Sequence, residues 1–497
     1  MGAERNSHRY RLAAVMGASI AVTAGLLLPA TGAGAGAVTV SPPRMSAPVV
    51  HRPRANSPIR HVVVIYLENH SFDNILGYWC DQHQGRCPDG GMPSRVRLSD
   101  GRVVRPTVDP DTVPLVNHNV PAQLAAMNIV DGVPRMNGWQ NIPSVKRARD
   151  SSCNAASGYQ CISGYMPRQI PNLARLATSF AISDNTFSMG NSPSWGGHLY
   201  PVLASQDGFL GSIPQPKGAG PGWGCNSDKT TEWISPTGKK KWVPSCVPDF
   251  ALNPKRYPFG GAFRATPVRW EPSILDRLDA AGLSWRIYDG GGSNHPATDG
   301  WAICPSLADC WDTSQRQDMS GFTQFDRDAA HGTLPSFSVI IPGNVDGKYS
   351  EHNNLSMTAG DNKLGQLMTS IMNSPNWSST AVFITYDDCG CFYDQGIPRR
   401  NPDGTWQGPR SPLVIVSPYA RHGYTDTTHT TFAGLLAFVE HNFGLTPLGP
   451  NDRDAYDFSN TFNYRQAPRR PVRMVIRPLP PSAKRIRITQ AMLDDPT

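Results

Sequence analysis

No Cys-x-x-Cys pair occurs among the ten cysteines of this 497-residue chain. That absence speaks against a zinc site built from paired thiolates. No internal repeat is visible, which excludes solenoids and propellers. Beyond the N-terminal segment, no apolar run approaches the roughly 20 residues that a membrane-spanning helix needs. Excess charge is scarce as well. The net charge is +7, which demands no nucleic acid and at most favours anionic substrates or surfaces. The chain has 46 glycines and 46 prolines, so loops and turns are many, but plentiful aliphatic and aromatic residues exclude general disorder. Gly290-Gly291-Gly292 lacks the spacing of a phosphate-cradling motif and reads as a loop.

The N-terminus carries the three parts of a secretory signal. Arg5, Arg9 and Arg11 are the positive region and Leu12 to Leu28 is the apolar core. Ala33-Gly34-Ala35 or Ala35-Gly36-Ala37 offers a small-residue cleavage site. Residues 1–37 are therefore expected to be a leader and the protein to be secreted. The cysteine content agrees with export. Cys80/Cys87, Cys153/Cys161, Cys225/Cys246 and Cys304/Cys310 are close neighbours bracketing Gly-, Pro- or Asn-rich loops, and they predict local disulfides. Cys389-Gly390-Cys391 remains, able to close on itself, stay reduced or pair elsewhere.

Val62 to Leu67 is an unbroken apolar run ending in Glu68 and Asn69. Such a run reads as a strand buried on both faces. Thr380 to Tyr386 repeats the arrangement and ends in Asp387 and Asp388. Ligands of open parallel sheets bind beyond the carboxyl ends of the strands. Two buried strands delivering acids at the same end predict one metal site assembled from distant sequence. Between and after them come helices over Ala122–Ile129, from Pro171, over Leu199–Ala204, Ser273–Gly282, Asp361–Ile371 and Thr431–Phe443. Strands are expected at Ser284–Tyr288, Phe337–Pro342 and Leu413–Pro418. The alternation predicts an α/β domain with a mostly parallel sheet. Residues 38–58 read as an exposed lead-in, 59–467 as the catalytic domain, 205–265 as an insertion within it, and 468–497 as a Pro- and Arg-rich tail.

Glu68, Asn69, Asp387 and Asp388 form an oxygen-rich set suited to a divalent ion such as Ca, Zn or Mg. Each acid alone has an ordinary alternative, capping a helix or pairing with an arginine. Ser194, in the turn Pro193-Ser194-Trp195-Gly196-Gly197, is the candidate nucleophile. Its alternative is a helix N-cap. His118, His198, His295 and His352 are candidates for proton donation or for binding phosphate oxygens.

With these pieces in place, the chain resembles the phosphoesterase family of bacterial and plant phospholipases C and related acid phosphatases. Glu68-Asn69-His70-Ser71-Phe72-Asp73 looks like the family's Glu-Asn-x-Ser-Phe-Asp signature. His118 followed by Met136-Asn137-Gly138-Trp139, Ser192-Pro193-Ser194, Glu351-His352 and the strand running into Asp387-Asp388 are similar to its later segments. The resemblance implies an alkaline-phosphatase-like α/β fold, a central mostly parallel sheet flanked by helices with long loop insertions. It also implies phosphate-ester hydrolysis through a covalent phospho-enzyme. Carried over, Glu68, Asn69, Asp387 and Asp388 would hold metal, and Ser194 would attack phosphorus. His118 and His352 would serve the phosphoryl oxygens or the leaving group, with His198, His295 and Glu351 contacting substrate. The implied partner is a phosphate ester, with a phospholipid head group among the options, no nucleic acid, and at most peripheral membrane contact. Two departures stand out. Gly196-Gly197-His198 replaces the family's Pro-Asn-Arg, and Asp387-Asp388-Cys389-Gly390-Cys391 replaces Asp-Glu-His-Gly-Gly.

Overall fold

Long runs of Val, Ile, Phe and Tyr have one stable place in a domain of this size, the middle of a sheet covered on both faces. In the computed structural model they form an eight-stranded sheet. The structure describes residue 54 and residues 57–485 apart from 89, 146–150, 207, 212–229, 235–238, 245–272, 290–301, 308–309, 311–312 and 343–347. The strands are β1 (His61–Leu67), β2 (Ala181–Ser183), β3 (Trp285–Asp289), β4 (Met319–Ser320), β5 (Phe337–Ile341), β6 (Thr380–Tyr386), β7 (Leu413–Val416) and β8 (Tyr424–Asp426). Their order across the sheet is β4-β3-β5-β1-β6-β7-β2-β8. Only β7 runs against the others.

The two strands singled out by their acidic ends are parallel neighbours. His61 lies opposite Thr380 and Leu67 opposite Tyr386, with no slip between. All seven residues of β6 are buried, as are all of β1 beyond His61. The register therefore brings the residues after Leu67 and after Tyr386 to one point above the sheet.

Helices pack around this sheet. The ones needed below are α1 (Phe72–Gln82), α2 (Val120–Met127), α3 (Pro171–Ser179), α4 (Ser194–Gly197), α5 (Ile274–Ala280), α6 (Phe322–His331), α7 (Met357–Asn373) and α8 (Ala433–Phe443). Helix α3 lies against α7, β7 and β2, and α6 lies against α7 and β3. Ser71 caps α1 by accepting from Asn74 N–H, Asn119 caps α2, and Ser273 caps α5 in a capping box with Asp276.

Several boundaries differ from the sequence expectation. Helix α7 starts at Met357 behind the cap Ser356, so Asp361 lies inside it. Asp361 is buried and accepts from the N–H groups of Asn172 and Leu173 at the start of α3. The helix expected over Leu199–Ala204 does not form; α4 ends at Gly197 and turns follow. Two glycines weaken that helix, and Pro201 has no N–H to continue it. Helix α8 begins two residues late, because Thr430 and Thr431 pair with Thr186 and Phe187. Helix α2 covers Val120–Met127, and Ile129 enters a small hairpin instead.

Three of the expected disulfides form, Cys80–Cys87, Cys153–Cys161 and Cys304–Cys310. Cys225, Cys246 and the leader lie outside the described residues. Cys389 and Cys391 are buried thiols with their sulfurs 3.8 Å apart. The described part of the tail is an ordered wrap. Val475 N–H and C=O both bond to the Asn172 amide, and Asn362 holds Arg477 in the same way. No helix among the described residues is long and apolar enough to cross a membrane.

Candidate active site

Above the ends of β1 and β6 the chain turns sharply. Asn69 takes a left-handed backbone with φ 66°, a conformation that asparagine tolerates better than most residues. Its N–H donates to Asp387 Oδ1 at 2.9 Å. The same oxygen accepts from Asp388 N–H at 2.7 Å. Asp388 Oδ1 in turn accepts from Gly390 N–H at 2.6 Å. Gly390 has φ +51°, and a Cβ there would stand 2.0 Å from the Asn69 carbonyl oxygen. No other residue fits that contact. Glu351, Asn354 and Cys391 are also left-handed. Such outliers persist where surrounding structure holds them, often at functional sites.

Ser194 is not the cap of its helix. Pro193 occupies the cap position and Ser194 is the first helical residue. Its hydroxyl is thereby released from capping and donates to Asn69 Oδ1 at 3.2 Å. The α4 turn is fastened to β1 by Tyr66, whose hydroxyl donates to Gly197 O at 2.9 Å. Gly197 packs directly on Asp387, where a Cβ would meet the Asp387 backbone and Cβ at 3.0–3.2 Å.

His198 closes α4. Its Nδ1 donates to Ser194 O at 2.8 Å and stands 3.4 Å from Asp387 Oδ2. Burial alone would lower this imidazole's pKa, but Asp387, Glu68 and the Ser194 carbonyl raise it above its ordinary value. Asp387 moves the opposite way. Burial pushes it up, yet the His198 bond and charge and two backbone N–H groups hold it below the usual carboxylate range. Each partner's shift is largely the work of the other's attraction.

His118 and His352 face each other with ring centres 6.4 Å apart. His118 Nδ1 bonds to Val116 O at 2.8 Å and His352 Nδ1 to Asn353 O at 2.7 Å. A carbonyl oxygen can only accept, so both Nδ1 atoms carry hydrogen. His352 Nε2 lies 4.0 Å from Glu68 Oε2. Glu351, next to His352 in the chain, is buried. Its carboxylate accepts from the Tyr386 hydroxyl, and burial pushes its pKa up to about 8. His295 lies outside the described residues.

The structure thus gathers Glu68, Asn69, Ser194, His198, Asp387, Asp388, His118 and His352. Three positions that the sequence did not single out support them. Gln123 bonds to the backbone at His118 and Ser192. His70 bridges Asn74 and the Glu351 carbonyl. Tyr66 ties α4 to β1. A polar residue on the buried stripe of α2, beside Ala122, Ala126 and Met127, was the available signal for Gln123.

A family model for the Phosphoesterase family matches residues 59–446. The chain belongs to the phosphoesterase family. This phosphoesterase is 25% identical over 460 residues to non-specific phospholipase C1 of Arabidopsis thaliana, covering 84% of this chain and 73% of that one. It is 23% identical to phospholipase C B of Mycobacterium tuberculosis, with 82% and 78% covered. With non-hemolytic phospholipase C of Burkholderia pseudomallei it shares 24% identity, spanning 89% of this chain and 63% of the relative. Among solved structures, a protein of the alkaline phosphatase superfamily from Vibrio parahaemolyticus matches at TM-score 0.31 and 12% identity, over 57% of this chain and 64% of that one. The sheet order rests on its own pairing, and that score adds nothing to it. The protein is a phosphoric ester hydrolase.

Among the described residues, no three His, Cys, Asp or Glu side chains stand close enough together to enclose an ion. The side chains that follow the two strand ends are the Asp387 and Asp388 carboxylates, Glu68 and the Asn69 amide, with the Ser194 hydroxyl on Asn69. Their chemistry fits a hard divalent cation. Every donor is oxygen, and three of the side chains are buried carboxyl groups.

Proposed function

We propose that this phosphoesterase is a secreted, metal-dependent enzyme of phospholipase C type, cleaving a phosphodiester through Ser194. The observation that carries the reading is the Ser194 hydroxyl, released from capping and held 3.2 Å from Asn69 Oδ1 beside the acids at the ends of β1 and β6. The phospholipase C names of its relatives support the diester preference. The leader-like N-terminus and the three disulfides support export.

Glu68, Asn69, Asp387 and Asp388 would hold the cation, which supplies Lewis-acid stabilisation of developing oxyanion charge. The chain's own residues do the rest. Ser194 Oγ attacks phosphorus and becomes esterified, giving up its hydroxyl proton to the His118–His352 pair as the bond to the leaving oxygen breaks. His118 or His352 delivers a proton from Nε2 to that oxygen. Water then cleaves the phosphoserine. His198 stays paired with Asp387 and holds the carbonyl of the nucleophile's own residue, so α4 keeps its orientation throughout. The buried position of Ser194 keeps bulk water from competing while the attack proceeds.

The test is an assay of the secreted chain on a chromogenic phosphocholine diester and on a chromogenic phosphate monoester, with and without chelator. Ser194→Ala is the blank. Diester turnover lost with chelator and with the substitution is the expected result. Monoester preference, lost in the same two ways, would move the protein to the acid-phosphatase branch. Activity surviving in Ser194→Ala would sink the nucleophile assignment.

A further inference from the structure

A buried side-chain amide is costly unless its N–H groups find acceptors. Gln123 is fully buried in α2. Its Nε2 donates to His118 O at 2.8 Å and to Ser192 O at 2.9 Å. An amide nitrogen has two hydrogens, and these two bonds use both. The two carbonyls belong to segments far apart in sequence. One is the backbone of the candidate proton donor. The other lies two residues before the candidate nucleophile.

The His118 ring cannot swing freely on its own backbone, because Nδ1 is bonded to Val116 O. Its position therefore follows the His118 main chain, which Gln123 grips. The position of Ser194 follows the Ser192–Gly197 turn, which Gln123 grips at the other end. Gln206 holds the same turn by donating to the Ser192 hydroxyl at 2.9 Å. Glutamine suits the task better than its neighbours in size. Glutamate would set an acceptor against two carbonyls, and lysine would bury a charge.

The geometry points to Gln123 as a positioning residue that fixes the His118 imidazole and the Ser194 hydroxyl in one frame, so that proton donor and nucleophile reach the same phosphorus. The inference rests on the roles given to Ser194 and His118 above. An error of about 1 Å in such a frame costs about 10²-fold in rate. A purely structural amide would instead alter stability and leave the chemical step alone.

The experiment uses the full secreted chain and whichever chromogenic ester it turns over. Gln123→Met keeps length and removes both donors. Gln123→Glu keeps shape and replaces the donors with an oxygen. Gln206→Leu loosens the turn without touching the His118 backbone. Each is read for kcat, KM, the pH–rate profile and melting temperature, beside wild type and Ser194→Ala. The expected result is a fall of about 10²-fold in kcat for both Gln123 variants. KM should stay within about threefold, and the limb of the profile set by the proton donor should move. Gln206→Leu should lose less than about tenfold. Retention of kcat within about threefold in Gln123→Glu, with only the melting temperature lowered, overturns the inference. So does an equal loss in Gln206→Leu, since the turn alone would then account for the effect. If Gln123→Met fails to fold, Gln123→Glu decides. Activity surviving in Ser194→Ala refutes the nucleophile assignment itself, whereas an inactive Ser194→Ala beside normal Gln123 variants refutes only the positioning role.

Discussion

Replacing Gly197 with alanine sets two opposed effects against each other. Alanine in place of glycine inside a helix stabilises by up to about 1 kcal/mol. The added methyl, however, would meet Asp387 O at 3.0 Å, Asp387 Cβ at 3.1 Å and Asp387 C at 3.2 Å. All three are tighter than ordinary contact, so the helix and the strand end must part by a few tenths of an ångström. Neither side yields easily. Asp387 N–H is bonded to Leu67 O at 2.9 Å and its carboxylate to Asn69 N–H at 2.9 Å. Gly197 O is held by Tyr66 at 2.9 Å. Overpacking of this kind costs about 1–3 kcal/mol, so the clash wins and the net loss is up to about 2 kcal/mol. The larger consequence is for chemistry. The Ser194–Asn69 bond starts at 3.2 Å, and the same displacement takes it beyond useful hydrogen-bond length. Gly197→Ala should therefore lower kcat by about tenfold or more with a modest fall in melting temperature. Thermal denaturation followed by fluorescence, with steady-state kinetics on the same preparation, reads both. A variant that melts higher and turns over normally would show that the close approach of α4 to Asp387 has no bearing on the site.

Two further outcomes follow from buried charge. Arg410 is 1% exposed and bonds to Asp73 and Asp394 at 2.9 and 3.1 Å; Arg410→Met leaves two buried carboxylates without their cation and should cost about 3–5 kcal/mol in urea denaturation, while a loss below about 1 kcal/mol would contradict the pairing. Asp109 is pushed up to about 7 by burial, against the partial relief of bonds from Ser163 and Asn74. Between about pH 4 and 7 the folded chain therefore keeps a proton that the unfolded chain has released, so stability falls as pH rises through that window, by at most about 1.4 kcal/mol per pH unit. Asp109→Asn removes this slope, and its melting temperature relative to wild type should rise from pH 5 to pH 8; parallel curves for the two proteins would refute the assignment.

Much of the framework was legible in local patterns. The apolar runs of β1 and β6 named themselves as buried strands, and the acids at their ends could be read as candidates. The short-range cysteine pairs predicted three bonds that formed. Caps such as Ser273 were readable because a cap and its partner are three residues apart. Boundaries failed where a distant partner intervened: Asp361 looked like a helix start but bonds to the start of α3, and Thr431 was drawn into a strand pair with Phe187.

The sequence by itself determined the class of fold, the two acid-bearing strand ends, and the residue types available for phosphoester chemistry. Each of these depends on apolar periodicity or on neighbours within a few positions. Only the tertiary structure decided that β1 and β6 are in-register neighbours and that Ser194 is released from capping. It also decided that His198 pairs with Asp387, that Glu351 bonds to Tyr386, and that Gln123 ties His118 to the Ser192–Gly197 turn. The decisive contacts join residues 69, 125 and 318 positions apart. No local pattern encodes such pairs, because they are chosen by how the whole sheet and its loops pack.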